Sequence, residues 1–107
     1  MPKYLYYGSY TAEGYKGLMA EGGTKRADAV RKALKGIGGS VEAFYFSLGE
    51  NDFYVIIDLP DNISVTAFSL AGNMSGSFTM KTVALLSPTE VDEAIKKTVD
   101  YRPPGQK

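Results

Sequence analysis

Tyrosine side chains are the first candidates in this sequence for groups that could do chemistry. The chain of 107 residues has eight tyrosines, and Tyr6, Tyr45 and Tyr54 fall in segments that alternate like strands. Their hydroxyls could orient a small organic molecule in an aromatic-lined pocket. Tyrosine also favours strands for a plainer reason, because it joins an apolar ring to a polar tip. Because side chains alternate between the two faces of a strand, the three rings can be divided between a ligand pocket and a dimer interface.

Asp52 is the second candidate, because it closes the turn Gly49-Glu50-Asn51-Asp52 between two apolar segments. A carboxylate there could act as a base or as a ligand anchor at the mouth of a cavity. It could equally accept backbone N–H bonds and fix the turn, as aspartate commonly does. Both roles stay open, and the candidate ligand-binding residues are Asp52, Tyr6, Tyr45 and Tyr54.

The composition excludes several classes of chemistry. The chain has no cysteine and no histidine, so it lacks the residues of disulfides, zinc-thiolate sites and iron-sulfur clusters. It also lacks the commonest general base and the usual haem ligand. No spacing of acidic residues resembles an EF-hand. We therefore expect neither a metal nor another cofactor.

The charge balance argues against nucleic acid as a partner. Twelve basic residues balance twelve acidic ones, whereas nucleic-acid binders derive much of their affinity from excess Lys and Arg. Leu5–Ser9 loosely resembles the first aromatic signature of RNA-recognition motifs, but residues 51–54 lack the second. The segment Gly22-Gly23-Thr24-Lys25-Arg26 could hold an anion at a helix N-terminus, or be a flexible loop. Without a signal peptide or an apolar run of roughly 18 residues, we expect a cytoplasmic protein that does not bind membranes.

Hydrophobic periodicity predicts an alternation of strands and helices along one domain, residues 1–99, followed by a loose tail, residues 100–107. The glycine-rich stretch from Thr11 to Gly23 predicts at most one short helical turn. On the helix capped by Asp61, the residues Ile63, Ala67, Leu70 and Ala71 share one side, and Val65 and Phe68 widen this apolar stripe. The predicted elements are strand Tyr4–Tyr10, helix Lys25–Lys35 with Thr24 as N-cap, strand Ser40–Leu48, strand Asp52–Leu59, helix Asp61–Ala71, strand Ser77–Leu86 and a last helix opened by Ser87-Pro88-Thr89-Glu90.

This order of elements predicts the α+β class and a ferredoxin-like βαββαβ plait with an extra C-terminal helix. Right-handed crossovers give a four-stranded antiparallel sheet of order 4-1-3-2, with both main helices on one face. The two hairpin strands are apolar on both faces, and the chain's own helices can cover only one. A second copy is the simplest cover for the other face, because two-fold homodimers are the commonest oligomer.

Several of these motifs occur together in one known family. They are the Pro2-Lys3-Tyr4 start, Gly38-Gly39, Phe44-Tyr45, the Gly49-x-x-Asp52 turn, Val55-Ile56-Ile57 and Pro60-Asp61. Over about residues 3–97 the chain resembles the GYD-domain family of the dimeric α/β-barrel superfamily, with Asn51 where Tyr is typical and Thr79–Thr82 where Arg and Thr are frequent. The resemblance implies the plait and the dimer. It implies no reaction, because relatives include cofactor-free oxygenases, haem enzymes and ligand-sensing domains.

Two functional hypotheses follow from the sequence and the resemblance. The first is a small homodimeric α/β-barrel protein, joined through its open sheet face, that binds a small organic ligand between sheet and helices. The alternative is a cofactor-independent enzyme of the oxygenase or isomerase type. In that enzyme Asp52 or a tyrosine would move a proton.

Overall fold

The computed structural model describes residues 1–106, which form four strands and four helices around one sheet. The βαββαβ order of the predicted plait is present, with an additional helix after the first strand and another at the C-terminus. The elements are β1 (Lys3–Tyr10), α1 (Ala12–Glu21), α2 (Gly23–Lys35), β2 (Ser40–Phe46), β3 (Phe53–Asp58), α3 (Asn62–Met74), β4 (Phe78–Leu85) and α4 (Pro88–Ile95).

A single antiparallel sheet joins the four strands in the order β2-β3-β1-β4. β1 lies in the middle, so that Tyr6 stands opposite Val55 on β3 and opposite Thr82 on β4. β2 pairs with β3 and has a register shift between Val41 and Ala43. The strand order and the antiparallel pairing confirm the predicted ferredoxin-like plait and the α+β class.

The core lies between one face of the sheet and helices α2 and α3. Because strand side chains alternate, every second residue of β3 points to this face, and Phe53, Val55 and Ile57 are at most 2% exposed. Each large apolar side chain buried in this way contributes about 1.5–3 kcal/mol. The remaining buried apolar residues are Tyr4, Tyr6, Val30, Leu34, Leu59, Val65 and Met80.

Helix α1 corrects the sequence prediction for its segment, because ten residues are helical where one short turn was expected. Thr11 caps the helix with its hydroxyl, which accepts a bond from the backbone N of Gly14 at 3.2 Å. The backbone N of Thr11 donates to the carbonyl oxygen of Ser77 at 2.9 Å. A Cβ on Gly14 would lie 1.8 Å from that same oxygen. Only glycine fits at position 14, because the helix backbone packs directly against the backbone of Ser77. This packing outweighs the low helix propensity of glycine.

Helix α2 begins earlier than predicted, and its N-cap is Gly22 and not Thr24. Gly22 has φ 86° and ψ 167°, a backbone region that is essentially restricted to glycine. Its backbone N donates to the carbonyl oxygen of Leu18 at 2.8 Å, while its own carbonyl accepts from Arg26 N at 3.2 Å. One glycine thus ends α1 and begins α2, and this junction places Arg26 one turn into the second helix.

Helix α3 begins where predicted but buries a different side. Asp61 Oδ1 accepts a bond from Ser64 N at 2.8 Å, and this backbone bond lowers the pKa of Asp61. Val65 is buried, whereas Ile63 and Leu70 are 81% and 67% exposed. Ile63 and Leu70 of the predicted stripe therefore face outward, whereas its edge at Val65 faces the core, because the helix is apolar on two sides and periodicity alone does not choose between them.

The turn between β2 and β3 is held to the rest of the domain by Asp52. Its Oδ2 accepts bonds from Tyr10 N at 2.9 Å and from the Tyr15 hydroxyl at 2.5 Å. Its backbone N donates to Gly8 O, and its carbonyl accepts from Ser47 N, both at 2.7 Å. These bonds join the hairpin to the end of β1 and to α1.

The C-terminal segment extends away from the domain. The predicted capping box is present, with Ser87 N donating to Glu90 Oε1 at 2.9 Å and Glu90 N donating to Ser87 Oγ at 3.1 Å. Every residue from Leu86 to Gln106 is exposed. The radius of gyration of 17.4 Å exceeds the value of about 13 Å for a compact domain of 100 residues. The predicted tail includes Lys107, which lies outside the described residues.

Substituting two glycines of α1 tests why this helix forms. Gly14→Ala should lower the free energy of unfolding by about 1–3 kcal/mol, because the new methyl group overlaps a backbone oxygen. Gly17→Ala is the matched control, since a Cβ at that position would have no atom within 4 Å. It should raise stability by about 0.5–1 kcal/mol through helix propensity. Urea denaturation measures both, and equal effects of the two substitutions would contradict the packing role of Gly14.

A pH dependence should follow from the bond between Tyr15 and Asp52. That bond is the main cause of the raised pKa of Tyr15. A tyrosine with a higher pKa in the folded than in the unfolded state contributes fully below its ordinary pKa of about 10, and this contribution is lost as pH rises through the raised value. The stability difference between the wild type and Tyr15→Phe should thus shrink above pH 10. Tyr101→Phe serves as control, and a difference that stays constant from about pH 8 to 11 would refute the expected linkage.

A candidate ligand cavity between sheet and helices

A cavity of about 290 Å³ lies between the helix-covered face of the sheet and helices α2 and α3. All four strands contribute to its floor, and the two helices form its roof. The wall is mostly aromatic. The six rings that line it are Tyr6, Tyr10, Phe44, Phe53, Phe68 and Phe78.

Small residues in the roof keep this space open. Ala33 of α2 and Ala71 and Gly72 of α3 line the cavity. A Cβ on Gly72 would lie 3.0 Å from the Phe78 ring, so the helix backbone approaches the ring as closely as it can. Large side chains on the sheet and small ones on the helices therefore leave a gap, where complementary sizes would have closed the core.

Edge contacts between the rings fix the shape of the cavity. The Tyr6 ring lies 5.8 Å from Phe53 and 5.4 Å from Phe68, measured between ring centroids. Tyr10 lies 5.2 Å from Phe53 and 6.1 Å from Phe78. The tilted and T-shaped geometries are those that aromatic pairs prefer. The rings of the wall thus pack against one another.

Tyr6 is the sequence-predicted residue that the structure brings to the cavity. Its side chain is 3% exposed, and within residues 1–106 its hydroxyl makes no hydrogen bond. Burial raises the pKa of Tyr6, the neighbouring Tyr10 adds to this shift, and Arg26 opposes it. The hydroxyl therefore stays protonated at neutral pH and can donate a hydrogen bond into the cavity.

Arg26 is the one charged residue among the described residues that line the cavity. Its Nε is buried and has no hydrogen-bond partner within residues 1–106. An unpaired buried donor costs about 1–3 kcal/mol, and more when it is charged. The nearest acid is Glu21, whose Oε1 lies 3.7 Å from Nη1, so the guanidinium has an ion pair at one end and an open donor at the other.

Tyr10 adds a second phenolic hydroxyl to the cavity wall. Burial is the main cause of its raised pKa, Asp52 and Glu21 raise it further, and Arg26 lowers it. Its hydroxyl, like that of Tyr6, makes no hydrogen bond within the described part of the chain. The three groups Tyr6, Tyr10 and Arg26 therefore bring hydrogen-bond donors to one cavity, whose other polar side chains are Ser75 and Ser77.

The structure separates the other predicted site residues from this cavity. Asp52 does not line it, and its carboxylate already accepts the two bonds from Tyr10 and Tyr15 described above. Tyr45 and Tyr54 stand opposite each other on the uncovered face of the sheet, where they are 71% and 37% exposed. A role of these three residues in ligand binding stays a prediction, and it would have to lie outside the cavity that Tyr6 lines.

From the sequence alone, Arg26 is a candidate only within the Gly22–Arg26 segment that could hold an anion, and it is not predicted that this side chain lines a cavity. A signal was nevertheless present. Arg26, Val30 and Ala33 follow the spacing i, i+4, i+7 of one helix face, and Val30 is buried. The first residue of a buried stripe has its side chain at the edge of the core. A charged residue at that position is therefore as good a candidate for ligand binding as the tyrosines.

The described residues do not form a metal-binding cluster at the cavity. Within residues 1–106, no three acidic side chains come together in a way that could hold a metal ion. In the same range, none of the helices has the length and apolar character needed to cross a bilayer. The polar side chains of the described cavity wall are therefore those of Tyr6, Tyr10, Ser75, Ser77 and Arg26, and the rest of the wall is mostly aromatic.

Comparison with known proteins identifies the family. The sequence profile of the GYD domain matches residues 4–95, a range that runs from β1 to the last residue of α4. Searches among curated proteins and among solved structures found no match. The profile covers most of the chain, as the motifs of the strands and of the β2–β3 turn lead one to expect. The chain belongs to the GYD domain family.

Proposed function

We propose that this protein is a small homodimeric binding protein that holds one organic molecule in the cavity of each protomer. The aromatic cavity is the observation that carries the proposal. Its volume of about 290 Å³ is at the lower end of the range of about 300–1,000 Å³ for ligand pockets. A cavity of about 150 Å³ accepts one benzene molecule, so the space suits a ligand of one or two rings.

The composition of the wall supports binding over mere imperfect packing. Ligand sites are predominantly apolar and contain a few polar groups that fix the orientation of the ligand. Here the Tyr6 hydroxyl and the Arg26 Nε lack partners among residues 1–106. A domain with no ligand would leave the buried Arg26 Nε unpaired beside an apolar gap, and native cores seldom do so.

The uncovered sheet face supports the homodimer. Val83 and Tyr54 are 43% and 37% exposed there, and Leu5, Tyr7 and Ile56 between them are only half-buried. A contiguous apolar face of this kind usually marks an interface. A second copy of the sheet offers the same apolar face, so a two-fold pairing would cover both copies at once.

Helix α4 extends the same surface beyond the domain. It follows β4 directly, and Leu86, Val91 and Ile95 are 69%, 43% and 75% exposed. A single copy leaves these residues in water. Packing against the body of a partner would bury them together with the sheet face, which gives the projecting segment a role in the dimer.

The alternative, a cofactor-independent enzyme, has less support. The Asp52 carboxylate is engaged by Tyr10 and Tyr15, and Asp52 does not line the cavity. The raised pKa of Tyr6 suits a hydrogen-bond donor better than a base at neutral pH. We therefore favour binding without a chemical step.

The oligomeric state tests the role of the sheet face. Sedimentation should give twice the chain mass of 11.6 kDa at micromolar concentration. Val83→Glu should shift the protein toward the monomer, because it puts a charge into the proposed interface. Met19→Glu on α1, where Met19 is 85% exposed, should leave the dimer intact. A wild-type monomer, or an equal response of the two variants, would refute the interface.

Filling the cavity tests ligand binding. An NMR titration with indole, a neutral molecule of two rings, should perturb the signals of the cavity residues. Ala71→Phe should abolish this binding because Ala71 lines the cavity and the added ring would occupy it. Ala67→Phe lies one turn earlier on the exposed side of α3 and should bind indole normally. Binding that survives in Ala71→Phe would place the indole elsewhere, and absence of binding to the wild type would count against the cavity.

A further inference from the structure

We propose that the ligand of the cavity is an organic monoanion, a carboxylate attached to an aromatic or apolar body, and that Arg26 binds its charged end. This inference rests on the proposed function, and it specifies the class of ligand. It starts from the one described side chain of the cavity wall that carries a charge.

The guanidinium of Arg26 needs an acceptor that the described chain does not supply. Its Nε is buried without a hydrogen-bond partner in residues 1–106. Arginine remains charged in proteins, so the site cannot relieve this cost by losing a proton. An acceptor inside the cavity would remove it. The Arg26 side chain is 30% exposed, which shows that part of the group meets solvent while Nε does not.

Glu21 does not fill this role. Its Oε1 lies 3.7 Å from Nη1, which is beyond hydrogen-bonding distance. The pair therefore adds attraction without occupying the Nε donor. Arginine binds carboxylates through two parallel N–H bonds, and Nε with an adjacent Nη forms one such edge. Because Arg26 lines the cavity, a carboxylate bound there would lie beside the guanidinium, and an adjustment of the side chain would bring this edge to it.

The two tyrosine hydroxyls of the cavity wall also favour a ligand whose carboxylate lies beside Arg26. The hydroxyls of Tyr6 and Tyr10 belong to the same wall as Arg26 and make no hydrogen bond within the described residues. Neutral hydroxyls donate well to a carboxylate oxygen. The aromatic rings surround the rest of the space, so the charged end and the apolar body of one molecule would meet matching surfaces.

Nearby acids limit the charge that the site can accept. Glu21 lies beside Arg26, and both Glu21 and Asp52 raise the pKa of Tyr10, so their charges reach the cavity. A second negative charge on the ligand would be repelled by them. The site therefore suits a monoanion over a dianion such as a phosphate monoester.

A pair of matched probes tests the inference. 2-Naphthoate and 2-naphthamide have nearly the same shape and differ in charge. Isothermal titration of the wild type should show at least about tenfold tighter binding of the carboxylate, since a charge-assisted bidentate pair is stronger than a neutral contact. Equal affinities would overturn the inference and leave the cavity proposal intact. If neither probe bound and indole also failed, the cavity proposal itself would fall.

Substitutions at Arg26 identify the group responsible. Arg26→Met should lose the preference for the carboxylate while it still binds the amide, and Arg26→Lys should keep only part of the preference. Arg31→Met is the control, because Arg31 lies on the same helix and pairs with Asp28 at 3.0 Å. It should behave as the wild type. A preference retained in Arg26→Met would overturn the inference.

The stability of Arg26→Met gives a second readout. If Arg26 serves a ligand, the empty variant should be at least as stable as the empty wild type, since the substitution removes an unpaired buried donor. Urea denaturation measures this. An Arg26→Met variant that is strongly destabilised or unfolded would show that Arg26 serves the fold and would contradict the assignment.

Discussion

The alternation of side chains along the two central strands is the constraint on which the rest of the structure depends. In β1 and β3 it sends large apolar groups to both faces of the sheet, with Tyr6 and Val55 on one and Tyr7 and Tyr54 on the other. Tyr7 and Tyr54 even stack, with ring centroids 5.9 Å apart. A sheet of this composition needs cover on both sides. Helices α2 and α3 supply one cover, and we propose that a second copy supplies the other.

The cavity follows from how the first cover is made. Aromatic rings on the strands meet small residues on the helices, such as Ala33 and Gly72, and the two layers do not close on each other. The rings hold one another in place through edge contacts, so the gap is part of the fold. Arg26 lies at the edge of the cavity because α2 begins at Gly22, which places Arg26 in the first turn of that helix. The aromatic packing, the Gly22 junction and the charge of Arg26 thereby all contribute to this cavity in the described domain.

Much of the fold could be predicted from the sequence because its strands and caps carry local signals. The turn before Phe53 and the Ser87 capping box mark element boundaries directly. Helix α1 could not be predicted in this way, since Gly14 serves a contact with Ser77, which is distant in sequence. Periodicity also could not predict which side of α3 faces outward, because Ile63 and Val65 begin two competing apolar stripes. Of the candidate site, Tyr6 was predictable from strand parity, whereas Arg26 depended on where α2 begins.

Native mass spectrometry of the freshly purified protein tests the central claim most directly, because it weighs the assembly and any retained molecule together. We expect a dimer that carries up to one small organic molecule per protomer, released when the protein is denatured. A monomer with no retained molecule, which also fails to bind 2-naphthoate on addition, would contradict the account. It would show that the open sheet face tolerates water and that the aromatic cavity is only a packing gap.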